Sequence, residues 1–78
     1  MTITTTDPRM IRKATEAAGL TIKTLRPIVD NDWMVELDEA GADRAAVMTF
    51  CRALIAADPS AVILVGKIRV DAAKLASM

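Results

Sequence analysis

Two hydrophobic periods alternate along the chain. Ile11, Ala14 and Ala18 recur at helical spacing, while Arg9, Arg12, Lys13 and Glu16 point largely away from them. Asp7 and Pro8 form a helix-start signal, because Asp7 can accept from orphan N–H groups and proline suits a first helical position. Gly19 stands where a left-handed C-terminal residue belongs. This pattern predicts a helix over about 8–18. A strand follows over 20–29, where Leu20 and Ile22 alternate with Thr21 and Lys23. Its phase slips at Leu25, which predicts a bulge near Thr24. Pro27 cannot donate to a ladder, which suits an edge strand or a strand end.

Asp30-Asn31-Asp32 is a turn signal. Beyond it Trp33, Val35 and Leu37 alternate with Met34, Glu36 and Asp38, so this amphipathic strand forms a hairpin with the one before it. From Asp43 onward, Val47, Phe50, Leu54 and Ala57 return to helical spacing, with Cys51 and Ile55 widening the stripe. Asp58-Pro59-Ser60 ends that helix. Residues 61–70 admit two readings. One is a long strand with Val62, Leu64, Gly66, Ile68 and Val70 on one face; the other is a tight hairpin turning at Gly66-Lys67. The unbroken alternation favours the long strand. Asp71 then caps a short helix over Ala72–Ala76.

The order is (β)αββαβ(α), which predicts an α+β two-layer sandwich: an antiparallel hairpin and a further strand, with two helices on one face. Residues 1–6 read equally as a weak edge strand or a mobile tail. If they pair, the order becomes that of a ferredoxin-like split βαβ arrangement. Against this, its first strand is central and calls for several inward apolar residues, whereas MTITTT offers Ile3 and Met1 alone. With 78 residues the chain is expected to form a single domain over 1–78.

Composition narrows the chemistry. Histidine is absent, which excludes a Ser-His-Asp triad, a histidine-assisted cysteine nucleophile and a histidine metal ligand. The single cysteine, Cys51, forms neither an internal disulfide nor a cysteine zinc site, and reads as a buried apolar thiol. No apolar run approaches the ~20 residues of a membrane span, and no signal-peptide core is visible, so a reducing cytoplasm is the expected location. The glycines are isolated, so no phosphate-cradling loop is present. Catalysis and cofactors are not expected.

Charge is segregated although the net charge is zero. Residues 30–43 hold Asp30, Asp32, Glu36, Asp38, Glu39 and Asp43 without a single cation. Such a segment creates a local negative potential suited to a basic or nucleic-acid-binding protein partner. Asp30-Asn31-Asp32 does not open a calcium loop, because the sixth position falls on Val35 and the twelfth on Gly41. Trp33 begins its strand, and if half covered it is a candidate hot spot. The candidate partner-binding residues are therefore Asp30, Asp32, Trp33, Glu36, Asp38 and Glu39. Arg9, Arg12 and Lys13 form a secondary basic face. Direct nucleic-acid binding is not expected, since Trp33 and Phe50 are the only aromatic residues.

In its size, its acidic 30–43 segment and its Ala-rich helix leading into Ala-Val-Ile-Leu-Val, the chain resembles in character the small phage-encoded inhibitors of the anti-CRISPR type. The resemblance implies a non-catalytic protein that blocks a nucleoprotein machine by contact. No family motif carries functional residues over. The expected function is an inhibitor or adaptor acting through an acidic surface. The alternative is a dimeric small-molecule-binding regulatory domain of ferredoxin-like type.

Overall fold

The computed structural model describes residues 1–78. The elements run β1 (Thr2–Thr4), α1 (Arg9–Ala18), β2 (Ile22–Pro27), β3 (Asp32–Leu37), α2 (Arg44–Ala57), β4 (Val62–Val65), β5 (Ile68–Val70) and α3 (Ala72–Ala76). The strands form one antiparallel sheet in the order β2-β3-β1-β4-β5. β3 lies between β1 and β2, which is the split βαβ arrangement, and β5 is added at the far edge.

The register explains the two faces. Pro27, Trp33, Ile3, Ile63 and Val70 stand side by side across all five strands. Ile3, Ile63 and Val70 from that row join Val35, Ile11, Ala14, Phe50, Cys51, Leu54 and Ile55 in the buried cluster. One position away, Arg26, Met34, Thr2, Leu64 and Arg69 form the neighbouring row on the opposite face. No residue of that row is buried.

Three expectations are corrected. First, residues 1–6 are neither edge strand nor tail: β1 is central. The shortage of inward apolar residues is met by a polar one. Ile3 is fully buried, and the next inward position, Thr5, is buried with its hydroxyl donating to Asp58 Oδ2 at 2.7 Å. Second, residues 61–70 form a hairpin rather than one long strand. Gly66 has φ of 60°, a conformation that costs glycine little, and the two-residue turn inverts the parity. Ile63 and Val65 therefore share the helix-facing side with Ile68 and Val70, while Leu64 goes to the open face. Third, β2 stops at Pro27, leaving Ile28 and Val29 exposed in the turn. The sheet consequently has five strands, not three.

Other local signals hold. The β2–β3 register shifts between Ile22 and Thr24, where the phase slipped. Gly19 ends α1 at φ of 70°, its N–H donating to the Glu16 and Thr15 carbonyls. Asp43 and Asp71 cap α2 and α3 by accepting from the Ala46 and Lys74 N–H groups. α1 begins one residue later than expected, at Arg9 with Pro8 at its N-cap, and Asp7 accepts from the Arg9 N–H just ahead of it. In α2 the buried stripe is Phe50, Cys51, Leu54 and Ile55, with Val47 half-buried and Ala57 exposed.

Candidate functional site

The β2–β3 hairpin carries the sequence-predicted acids, but the fold does not gather them all. A strand rises about 3.3 Å per residue, so Asp32 and Asp38 are separated by on the order of 20 Å along the hairpin. That exceeds the screening length of about 10 Å at 0.1 M salt, so the two ends act as separate fields. Asp30 lies at the tip, in a left-handed conformation with φ of 53°. Asp32 is drawn into the sheet, where Thr4 Oγ1 donates to its Oδ1 at 2.6 Å. At the other end Glu36, Asp38 and Glu39 line one recess with Lys23 and Leu37.

The root cluster gathers three acids around one cation, Lys23. Glu36 projects from the open face of β3 and pairs with Lys23 at 3.5 Å, with both side chains exposed. Asp38 Oδ1 accepts from the Ala40 N–H at 3.1 Å, which shapes the turn out of β3. Glu39 is exposed and makes no side-chain hydrogen bond or ion pair within the chain. Trp33 does not join these acids. It is half-buried against the core, on the side of the hairpin opposite to Met34 and Glu36. The predicted set thus splits into a tip, a helix-facing Trp33 and an acidic root.

The open sheet face adds what the sequence reading did not join to the acids. Met34 is 37% exposed and Leu64 is 43% exposed, on either side of Thr2. Glu36 follows Met34 on the same face of β3. Arg26 beside Met34 and Arg69 beside Leu64 close the two ends of the row, so the border is of mixed sign; an apolar strip with a charged rim has the anatomy of a protein-binding patch.

The basic face has a different character. Arg9 is engaged by Asp7 at 3.0 Å, and this pair holds the Asp7 carboxyl below the usual range. Arg12 and Lys13 are exposed and have no carboxylate within salt-bridge distance. Arg44 and Arg52 of α2 and Lys74 of α3 are exposed as well, and Glu16 is the one acid within the three helices. The helical layer is therefore basic where the hairpin root is acidic.

A second concavity lies beside α2. Val47, Met48 and Cys51 form one wall, Val65 and Ile68 of the β4–β5 hairpin a second, and Lys74 with Met78 a third, of an open groove of about 510 Å³. Arg44 also lines it. The long-strand reading hid this groove, because only the turn at Gly66 brings Ile68 back opposite Val65. Cys51 is fully buried, and burial pushes its thiol pKa up, away from the thiolate form.

No three carboxylate or thiol groups converge in a way that could hold a metal ion. No helix is long and apolar enough to cross a membrane. No protein family, curated protein or solved structure matches the chain.

Proposed function

We propose that the protein is a non-catalytic interaction module, an inhibitor or adaptor that engages a basic or nucleic-acid-binding protein. The observation that carries this reading is that Glu36 follows Met34 on the open face and joins the strip Met34–Thr2–Leu64, whose two ends are Arg26 and Arg69, to the acidic root of the hairpin. Apolar contact would supply affinity. Glu36, Asp38 and Glu39 would steer encounter and select a cationic partner. An inhibitory role of the anti-CRISPR type falls within this proposal, as does action in a reducing cytoplasm, where the free thiol of Cys51 is stable.

The test is capture of a stoichiometric partner by the intact protein, then titration of the purified pair. Met34→Asp should weaken binding by removing the apolar contact. Glu36→Lys with Glu39→Lys should weaken it chiefly through slower, salt-sensitive association. Unchanged binding by both variants would remove this face from consideration.

A second reading, a small-molecule-binding regulatory domain, draws on the split βαβ sheet and the groove beside α2. Its test is whether a small apolar ligand occupies that groove.

A further inference from the structure

From its lining, we infer that the groove between α2, the β4–β5 hairpin and α3 is a binding site for a free aliphatic carboxylate. This rests on the small-molecule reading and names its ligand. The volume, about 510 Å³, falls within the roughly 300–1,000 Å³ typical of small-ligand pockets. The chemistry of the walls then selects the ligand. Eight of the ten lining residues are hydrophobic, and the other two, Arg44 and Lys74, are both cations.

Cationic side chains donate hydrogen bonds and accept none. No carboxylate, amide or hydroxyl side chain lines the groove. A sugar or nucleoside would lose water from its hydroxyl and amino groups and find no side-chain acceptor in return. No aromatic ring lines the site, so a flat base would find nothing to stack on. An aliphatic chain ending in one anion meets none of these penalties. Its hydrocarbon would lie along Val47, Met48, Val65 and Ile68, where methionine adapts to an irregular shape. Arg44 and Lys74, which both line the groove and form no salt bridge within the chain, would supply the cations for its carboxylate.

The exposed apolar surface points the same way. Ile68 is 57% exposed and Met78 is 64% exposed, and both line this groove. α3 is only five residues long, and its Leu75 packs against the core, leaving Ile68 and Met78 uncovered at the mouth.

The experiment uses the intact protein with isotope-labelled methyl groups. Decanoate is titrated below its micelle concentration, with decanol as the uncharged control. The expected result is saturable shifts at Val47, Met48, Ile68 and Met78, with decanoate binding more tightly than decanol. In the Arg44→Gln, Lys74→Gln protein, decanoate should bind roughly tenfold more weakly, while decanol is unaffected. Both residues are exposed and unpaired, so this variant should melt like the parent. Equal affinity for decanol and decanoate in the parent protein would overturn the carboxylate assignment and leave the groove reading standing. Absence of groove shifts with either ligand, or shifts centred on Met34 and Leu64, would overturn both.

Discussion

Thr5 Oγ1 donates to Asp58 Oδ2 at 2.7 Å, joining the end of the central strand to the end of α2 with both side chains buried. The Thr6 N–H and hydroxyl donate to the same oxygen, and the Ser60 N–H and hydroxyl donate to Oδ1. A carboxylate taken out of water is costly unless its oxygens are satisfied. Here the Ser60 and Thr5 hydroxyls hold Asp58 well below the usual carboxylate pKa, against the opposing effect of burial. A three-residue strand with one buried isoleucine can therefore occupy the sheet centre.

Asp58→Asn should lower stability at neutral pH by about 2 kcal/mol or more, since a hydrogen bond to a charged group contributes about 1.5–3 kcal/mol. The pH dependence has a definite sign. A carboxyl whose folded pKa is depressed stabilises the fold above its unfolded pKa of about 3.9, and this is lost as pH falls toward the folded value. Asp7 is depressed too, so the informative quantity is the gap between parent and variant. In urea melts, that gap should be full near neutrality and shrink below about pH 4. A gap that stays constant into acid would show that the charge on Asp58 is immaterial.

Phe50 is fully buried at the centre of the α2 stripe, and it is the largest of the fully buried side chains. Phe50→Ala should cost roughly 3–5 kcal/mol, a large share of the stability of so small a domain. Circular dichroism should show a much lower melting temperature or an unfolded chain. A melt that coincides with the parent's would refute the packing.

Gly66→Val tests the hairpin. A Cβ at this position meets no atom within 4 Å, so the penalty comes from the backbone at φ of 60°. A left-handed conformation costs an ordinary side chain about 1–2 kcal/mol, and Gly66→Asn should cost less because asparagine tolerates it. Equal stability of all three proteins would argue for an extended segment through Gly66.

Periodicity and turn chemistry made the helices, their caps, the β2–β3 hairpin and its bulge legible, because each is set by neighbours a few residues apart. The position of β1 was not legible in the same way. It depends on Thr5 meeting Asp58, 53 residues away, and a buried threonine is not distinguishable from an exposed one in sequence. The Asp58-Pro59-Ser60 run was visible as a helix stop, but its carboxylate also serves β1. The hairpin at Gly66 was hidden because hydrophobic residues on both sides of a two-residue turn can mimic one continuous alternation. The acidic segment was visible as charge alone. Its division into tip and root, and the turning of Trp33 toward the helices, follow from strand length and pleat.

That division yields the last prediction, which separates acids that hold the fold from acids free to bind. Asp32 accepts from Thr4 Oγ1 at 2.6 Å and so fastens β3 to β1. Asp32→Ala should destabilise the protein by about 1 kcal/mol or more, as expected for losing a hydrogen bond to a charged group with partial exposure. Glu36 behaves differently. Its pair with Lys23 is exposed, with side-chain accessibilities of 60% and 68%, and such pairs contribute about 0–1 kcal/mol. The Glu39 side chain makes no hydrogen bond or ion pair that its loss could break. Glu36→Lys combined with Glu39→Lys should therefore leave the melting temperature near that of the parent, while reversing the field at the hairpin root. Melting curves of the two proteins, recorded at low and high salt, make the comparison. The Asp32→Ala deficit should persist at high salt because it comes from a lost hydrogen bond, and any small shift in the charge-reversed protein should fade as screening shortens. If Asp32→Ala melts with the parent and the charge-reversed protein unfolds, the assignment of structural and free acids is inverted, and the root cluster belongs to the fold rather than to a partner.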